Sequence, residues 1–321
     1  MISGSTGNRT FLLTPASKDY LWGGSRLNDD FNLNIDISSF AEAWVFSTHP
    51  DGTSFVPTLG ALLDVMSKDH PEYLGTYARN VNNGELPILI KLIDAKKNLS
   101  VHVHENGSLG KTEMWYVLDT RRDSELVYSF NRNVDADQVR AAIEDGSITT
   151  LLNHVEVHKN DLFYIEVGTV HVIGAGCLIS EIQESLNLTY RLYDYKCVDK
   201  NGKQRKLHID CALDVMNKES SATPRQPMRV LKYNLGYASE LLTHCKYFQV
   251  ERLLLNTENR KVASFQTGSN LFHALLCVDG CGTMLGDDVD LSFFKGDCIF
   301  ISADSIELKL HGQAQILNVS C

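Results

Sequence analysis

A chain of 321 residues, 43% hydrophobic and 22% charged, can bury a sizeable core as one large domain or two. Its formal net charge of −10 repels nucleic acid and anionic membranes, so neither is an expected partner, and a small anion could bind only where basic side chains converge. No apolar run reaches the length of a membrane span, the N-terminal "MISGSTGNRTFLLTPASKDYLWGG" lacks a signal-peptide pattern, and the 8 cysteines form no CxxC pair, so a cytoplasmic protein with reduced thiols is expected.

Most of the chain reads as short β runs bounded by Gly, Asn and Asp. "WGG" at residues 22–24 marks a turn without the context of a nucleotide-binding loop. Helical spacing is read over residues 58–68, 135–145 and 208–217, placed as insertions or coverings on a β scaffold. Between them, "LPILIKLIDA" is an apolar strand with one cation, Lys91. A lysine there reaches a partner, snorkels to solvent or meets an anionic ligand.

Residues i and i+2 of a strand share a face, so "SVHVH" projects His102 and His104 together. By the same rule Lys111, Glu113 and Trp115 share a face of the following strand, and His171 arrives from a turn after "YIEVGT". This mixture of imidazole and carboxylate suits zinc, iron or manganese and selects weakly among them. In residues 179–195, alternation aligns Ile179, Glu181 and Gln183, and then Arg191, Tyr193 and Tyr195. A glutamate and an arginine pointed into a barrel are expensive unless they serve a ligand or each other. Lys91, Lys111 and Arg191 could together form a phosphate pocket. No nucleophile-elbow motif is present, and no cysteine carries a local nucleophile signature.

The stretch "DLFYIEVGTVH" (161–171) has a counterpart of equal length and apolar rhythm in "DCIFISADSIE" (297–307), and "EMWYVLD" (113–119) matches "HALLCVD" (273–279). Two matched segments in the same order suggest two copies of one β-barrel. The copies differ chemically. His273 stands at the position of Glu113, Glu307 at that of His171, and "VASFQTG" in the region of the paired histidines.

These segments in this order, with "AEAWVFSTHPDG", "LPILIKLIDAKKNLSVHVH", "GKTEMWYVLD", "GTVHVIGAG", "EIQESLNLTYRLYDY" and "KLHIDCALDVM", resemble the type I mannose-6-phosphate isomerases, in their short bacterial form. The resemblance runs along nearly the whole chain. It implies a mainly β protein of two cupin barrels: a metal-bearing catalytic domain with helical insertions (residues 1–225) and a metal-free second domain (residues 226–321). It further implies one zinc ion per chain, with the family's ligand positions falling on His102, His104, Glu113 and His171. The family's basic and acidic active-site positions fall on Lys91, Lys111, Glu181 and Arg191.

The sequence departs from the family in places: His102 replaces a usual glutamine, Glu105 and Glu166 replace prolines, and Asn187 stands where an aspartate is common. The implied reaction interconverts mannose 6-phosphate and fructose 6-phosphate through an enediol. Another metal-dependent cupin enzyme or a sugar-binding cupin are the alternatives. Glu181 is the first candidate proton carrier, because burial raises a carboxyl pKa, and Lys111 the second. Arg191 and Lys91 would hold phosphate or developing negative charge. A metal that keeps four protein ligands and still works catalytically needs a coordination number above four. A small-molecule partner and a monomer or small homo-oligomer complete the expectation.

Overall fold

A computed structural model describes residues 9–31, 33–81, 84–105, 110–198, 202–221, 224, 226–258 and 261–321. The first eight residues of the N-terminal segment read for a signal peptide lie outside that range. The protein is mainly β, and its strands fall into two barrels.

The first barrel is a pair of facing sheets. One orders its strands Leu152–Glu156, Glu125–Phe130, His171–Ile173, Val101–Val103 and Tyr190–Tyr193. The other orders Leu162–Ile165, Glu113–Thr120, Cys177–Glu184, Ile88–Asp94, Phe40–Phe46 and Ala16–Gly24. Inward-facing Ile93, Trp115, Val117, Phe163, Ile165 and Ile179 fill the space between them. Strands such as Ile88–Asp94 and Phe40–Phe46 are buried along their whole length, so they read as apolar runs interrupted only by the buried charges Lys91, Asp94 and Glu42. Their opposite face packs on the second barrel.

The internal repeat is visible in the register. Glu113 to Tyr116 pair with Ile165 to Leu162, and His273 to Leu276 pair with Ile301 to Cys298 in the same antiparallel order. Both units are therefore the same hairpin-like element of a barrel. In the second, His273 hydrogen-bonds Asn318 at 2.7 Å, and Glu307 is exposed.

The division expected after residue 225 is crossed by the start of the chain. The strand Thr10–Leu13 pairs with Cys298–Ile301 in the C-terminal sheet. Phe46 of the first barrel stacks on Phe272 and Phe300 at centroid distances of 5.7 and 6.1 Å, inside one apolar core common to both barrels.

Of the three helical stretches, Ala136–Asp145 follows the expectation and starts at a capping box made by Asp135 and Gln138. Ile209–Val215 also forms. The stretch 58–68 is helical only from Leu63, because Ala61–Leu62 pairs with Phe55–Val56 and the backbone is already committed to that ladder. Ala136–Asp145 and Ile209–Val215 cover the outer face of the five-stranded sheet, against Val101, Val103, Val127 and Val172.

Candidate active site

His102, His104 and His171 are all buried, and their ligating atoms lie within 4.8 Å of one another. His102 and His171 are direct neighbours on adjacent strands, and Glu113 lies beside Gln183 on the facing sheet. Glu113 closes the group: its Oε1 is 3.0 Å from His104 Nε2 and its Oε2 is 3.8 Å from His171 Nε2.

The ring orientations are set from outside. His102 Nδ1 donates to the Ser100 carbonyl at 2.7 Å, His104 Nδ1 to the Leu188 carbonyl at 3.0 Å, and His171 Nδ1 to the Thr169 carbonyl at 2.7 Å. A carbonyl only accepts, so each Nδ1 carries the hydrogen and each Nε2 presents a lone pair. Outer carbonyls that fix ring and tautomer in this way are the usual support of metal-bound histidines.

The result is a set of acceptors facing acceptors. His104 Nε2 and His171 Nε2 are buried without a hydrogen-bond partner, and Glu113 Oε1, although Lys111 Nζ lies against it, accepts no hydrogen bond in good geometry. Burial, with Lys111 nearby, pushes the His104 pKa down to about 3. Burial also lowers His171, and burial with His171 and His104 lowers His102. Burial alone would raise the Glu113 carboxyl, but Lys111 and the histidines hold it well below the ordinary carboxylate value. Neutral imidazoles of His104 and His171 aimed at an ionised carboxylate lack a proton to share, and a cation among the three histidines and Glu113 would satisfy them. The donor set therefore fits a metal ion.

A chain of alternating charges surrounds this group. Lys111 Nζ is 2.5 Å from Glu113 Oε1 and 3.4 Å from Gln183 Oε1. Trp115 Nε1 donates to both Glu113 Oε2 and Glu181 Oε2 at 3.0 Å. Glu181 Oε1 accepts from Lys91 Nζ at 2.8 Å, and Lys91 also lies 3.9 Å from Glu42 Oε2. Glu42 in turn accepts from Trp44 Nε1 at 2.6 Å. Burial raises the Glu181 carboxyl above its ordinary value, against the pull of Lys91. Burial opposes the Lys91 ammonium as well, but Glu181 and Glu42 outweigh it and raise its pKa.

The structure thus gathers His102, His104, Glu113, His171, Lys111, Lys91 and Glu181. Lys91 is 4% exposed and engaged by two carboxylates, which is the first of the alternatives open to it in the sequence. Arg191 lies on the edge strand directly opposite His102, and no carboxylate pairs with it among the described residues. Its Nε donates to Ser100 Oγ at 3.1 Å and its Nη1 to the Lys206 carbonyl at 3.0 Å. Asn187 donates to Asp51 Oδ2 at 2.8 Å and touches none of these groups.

Glu42 and Trp44 were not foreseen. A signal was present: Glu42-Ala-Trp44 and Glu113-Met-Trp115 are the same E-x-W pattern, and in both the indole N–H binds the carboxylate two residues earlier.

Comparison with known proteins places the chain in a family. The family described as phosphomannose isomerase type I, catalytic domain, matches residues 10–129, and that described as mannose-6-phosphate isomerase, cupin domain, matches residues 238–321. The chain is 33% identical to the mannose-6-phosphate isomerase ManA of Bacillus subtilis, over 94% of this chain and 96% of that one. It is 38% identical to the probable mannose-6-phosphate isomerase GmuF of the same organism, over 64% of this chain and 67% of the relative. A crystal structure of the mannose 6-phosphate isomerase from Bacillus subtilis superposes with a TM-score of 0.87 at 28% identity, covering 98% of this chain and 100% of the other. A zinc-bound mannose 6-phosphate isomerase structure shares the fold at a TM-score of 0.76 and 16% identity, over 97% of this chain and 99% of that one.

Proposed function

The chain belongs to the type I phosphomannose isomerases, and from that premise we propose how its own residues interconvert mannose 6-phosphate and fructose 6-phosphate. The observation that carries the proposal is the set of three clustered histidines whose Nδ1 atoms are spent on carbonyls, with Glu113 against the Nε2 atoms of His104 and His171. His102, His104, His171 and Glu113 would hold the metal, and zinc suits three imidazoles and a carboxylate. When bound, zinc supplies Lewis acidity toward the sugar's oxygens at C1 and C2.

Glu181 carries the proton between C1 and C2 in this reading. Its burial raises the carboxyl above the ordinary carboxylate value, which favours a group that can take up and return a proton, while Lys91 and Trp115 fix its orientation. Lys111 holds Glu113 in place and offers an N–H toward a developing negative oxygen. Arg191, without a carboxylate partner among the described residues, offers its guanidinium charge to the phosphate. Trp44 and Trp115, both buried, add apolar walls beside Glu42, Glu113 and Glu181 and limit the water that reaches these carboxylates.

A coupled assay of mannose 6-phosphate to fructose 6-phosphate, run before chelation, after chelation and after zinc add-back, tests the reading. Activity should vanish and return. A fully zinc-loaded protein without turnover would sink it.

A further inference from the structure

The strand Glu113–Thr120 has two faces with different partners. Glu113 and Trp115 face the histidine cluster, whereas Met114, Tyr116 and Leu118 enter the core shared with the second barrel, beside Leu242, Val250 and Phe300. The Tyr116 hydroxyl is the polar end of that second face, and it is completely used. It donates to Asn160 Oδ1 at 2.8 Å and accepts from Arg252 Nη1 and Gln315 Nε2, both at 2.8 Å. Arg252 and Gln315 belong to neighbouring strands of the second barrel.

A buried ionic group backs this contact. Arg252 pairs closely with Glu240, which is 4% exposed, and Arg229 approaches the same carboxylate at 3.8 Å. Arg229 Nη2 also donates to the Asn160 carbonyl at 3.2 Å, so the group closes on the residue that Tyr116 binds. Yet Arg229 Nη1, Glu240 Oε1 and Arg252 Nε are buried outside hydrogen-bond geometry. Buried charges with incomplete partners cost stability, and apolar residues of similar volume would hold the two barrels together as well or better. What such a group supplies that apolar packing does not is a single register between the surfaces it joins.

We propose that Tyr116 is a positioning residue. Through it, the second barrel, which among the described residues carries no metal-ligand cluster of its own, holds the Glu113–Trp115 strand at the height where Glu113 meets the histidines and Trp115 spans Glu113 and Glu181. The inference rests on the reading of Glu113 as a metal ligand. It assigns the metal-free barrel a part in the chemistry of the other.

The test compares Tyr116→Phe and Arg252→Met with Leu275→Ala, which opens a cavity inside the second barrel away from the contact. Three quantities are read well below each variant's melting temperature: kcat, KM, and the rate at which a chromogenic chelator strips zinc. Both contact variants should lose about tenfold in kcat, since sub-ångström misplacement is costly at a reacting centre, with KM held within about twofold and zinc leaving several-fold faster. Leu275→Ala should lower the melting temperature and leave all three unchanged.

Wild-type values in Tyr116→Phe and Arg252→Met would overturn the proposal. So would the same loss of kcat in Leu275→Ala, because general destabilisation would then account for it. A zinc-loaded wild type without isomerase activity would instead overturn the functional reading, and zinc release would still report on the contact.

Discussion

Replacing Lys91 with methionine keeps most of the side chain's apolar stem and removes the ammonium that Glu181 binds at 2.8 Å and Glu42 approaches at 3.9 Å. All three residues are buried, so solvent does not compensate. Breaking a buried ion pair by deleting one partner costs about 3–5 kcal/mol. Part of that is recovered because Glu181, deprived of its cation, takes up a proton more readily. A net loss of about 3 kcal/mol lowers Tm by roughly 5 °C in a chain of this size.

The pH dependence has a definite sign. Burial already raises Glu181 in the native protein, and the variant raises it further. A carboxyl with a folded pKa above its unfolded value favours the folded state at low pH, and that advantage disappears as pH rises through the window between the two values. The variant's Tm deficit should therefore widen as pH rises above the ordinary carboxylate value, and the acid limb of its kcat profile should move to higher pH. Differential scanning fluorimetry across pH, with kcat and KM from the coupled assay, measures each quantity. An increase in KM of about tenfold or more, with Tm and the pH profile unchanged, would refute the reasoning and make Lys91 a substrate contact rather than the partner of Glu181.

His102→Gln should keep bound zinc and a substantial fraction of activity, since glutamine is usual at that position in the family, whereas His104→Ala should lose the metal; metal content by atomic absorption separates the two. The metal-free protein should also lose stability as pH falls below about 6.5. Its buried histidines have lowered pKa values, His104 down to about 3, so the unfolded chain binds protons first, and a Tm series with chelator from pH 7.5 to 5 should show a steady fall.

Much of this protein was legible in one dimension because its determinants are local. Strand alternation is a property of two-residue spacing, so His102 with His104, and Glu113 with Trp115, could be placed on common faces from the sequence. The repeat was legible for the same reason, since the apolar rhythm of residues 113–119 and 273–279 reflects a shared register with the following strand. Family resemblance supplied the metal and the reaction.

Only the tertiary structure decided how the charges pair. Lys91 could have bound phosphate, reached solvent or met a carboxylate; cross-strand pairing put it opposite Glu181, and the Phe40–Phe46 strand brought Glu42 to its other side. The Leu188 carbonyl that orients His104 lies 84 residues away in sequence, and the three partners of Tyr116 lie 44, 136 and 199 residues away. The first strand's place in the C-terminal sheet was equally invisible, because an edge strand is chosen by whichever sheet leaves its backbone groups unpaired. Residue spacing determines which side chains leave a strand together. Which strand lies opposite, and hence whether a buried charge meets a substrate or its own counter-charge, depends on contacts that close long loops, whose pattern no short stretch of sequence contains.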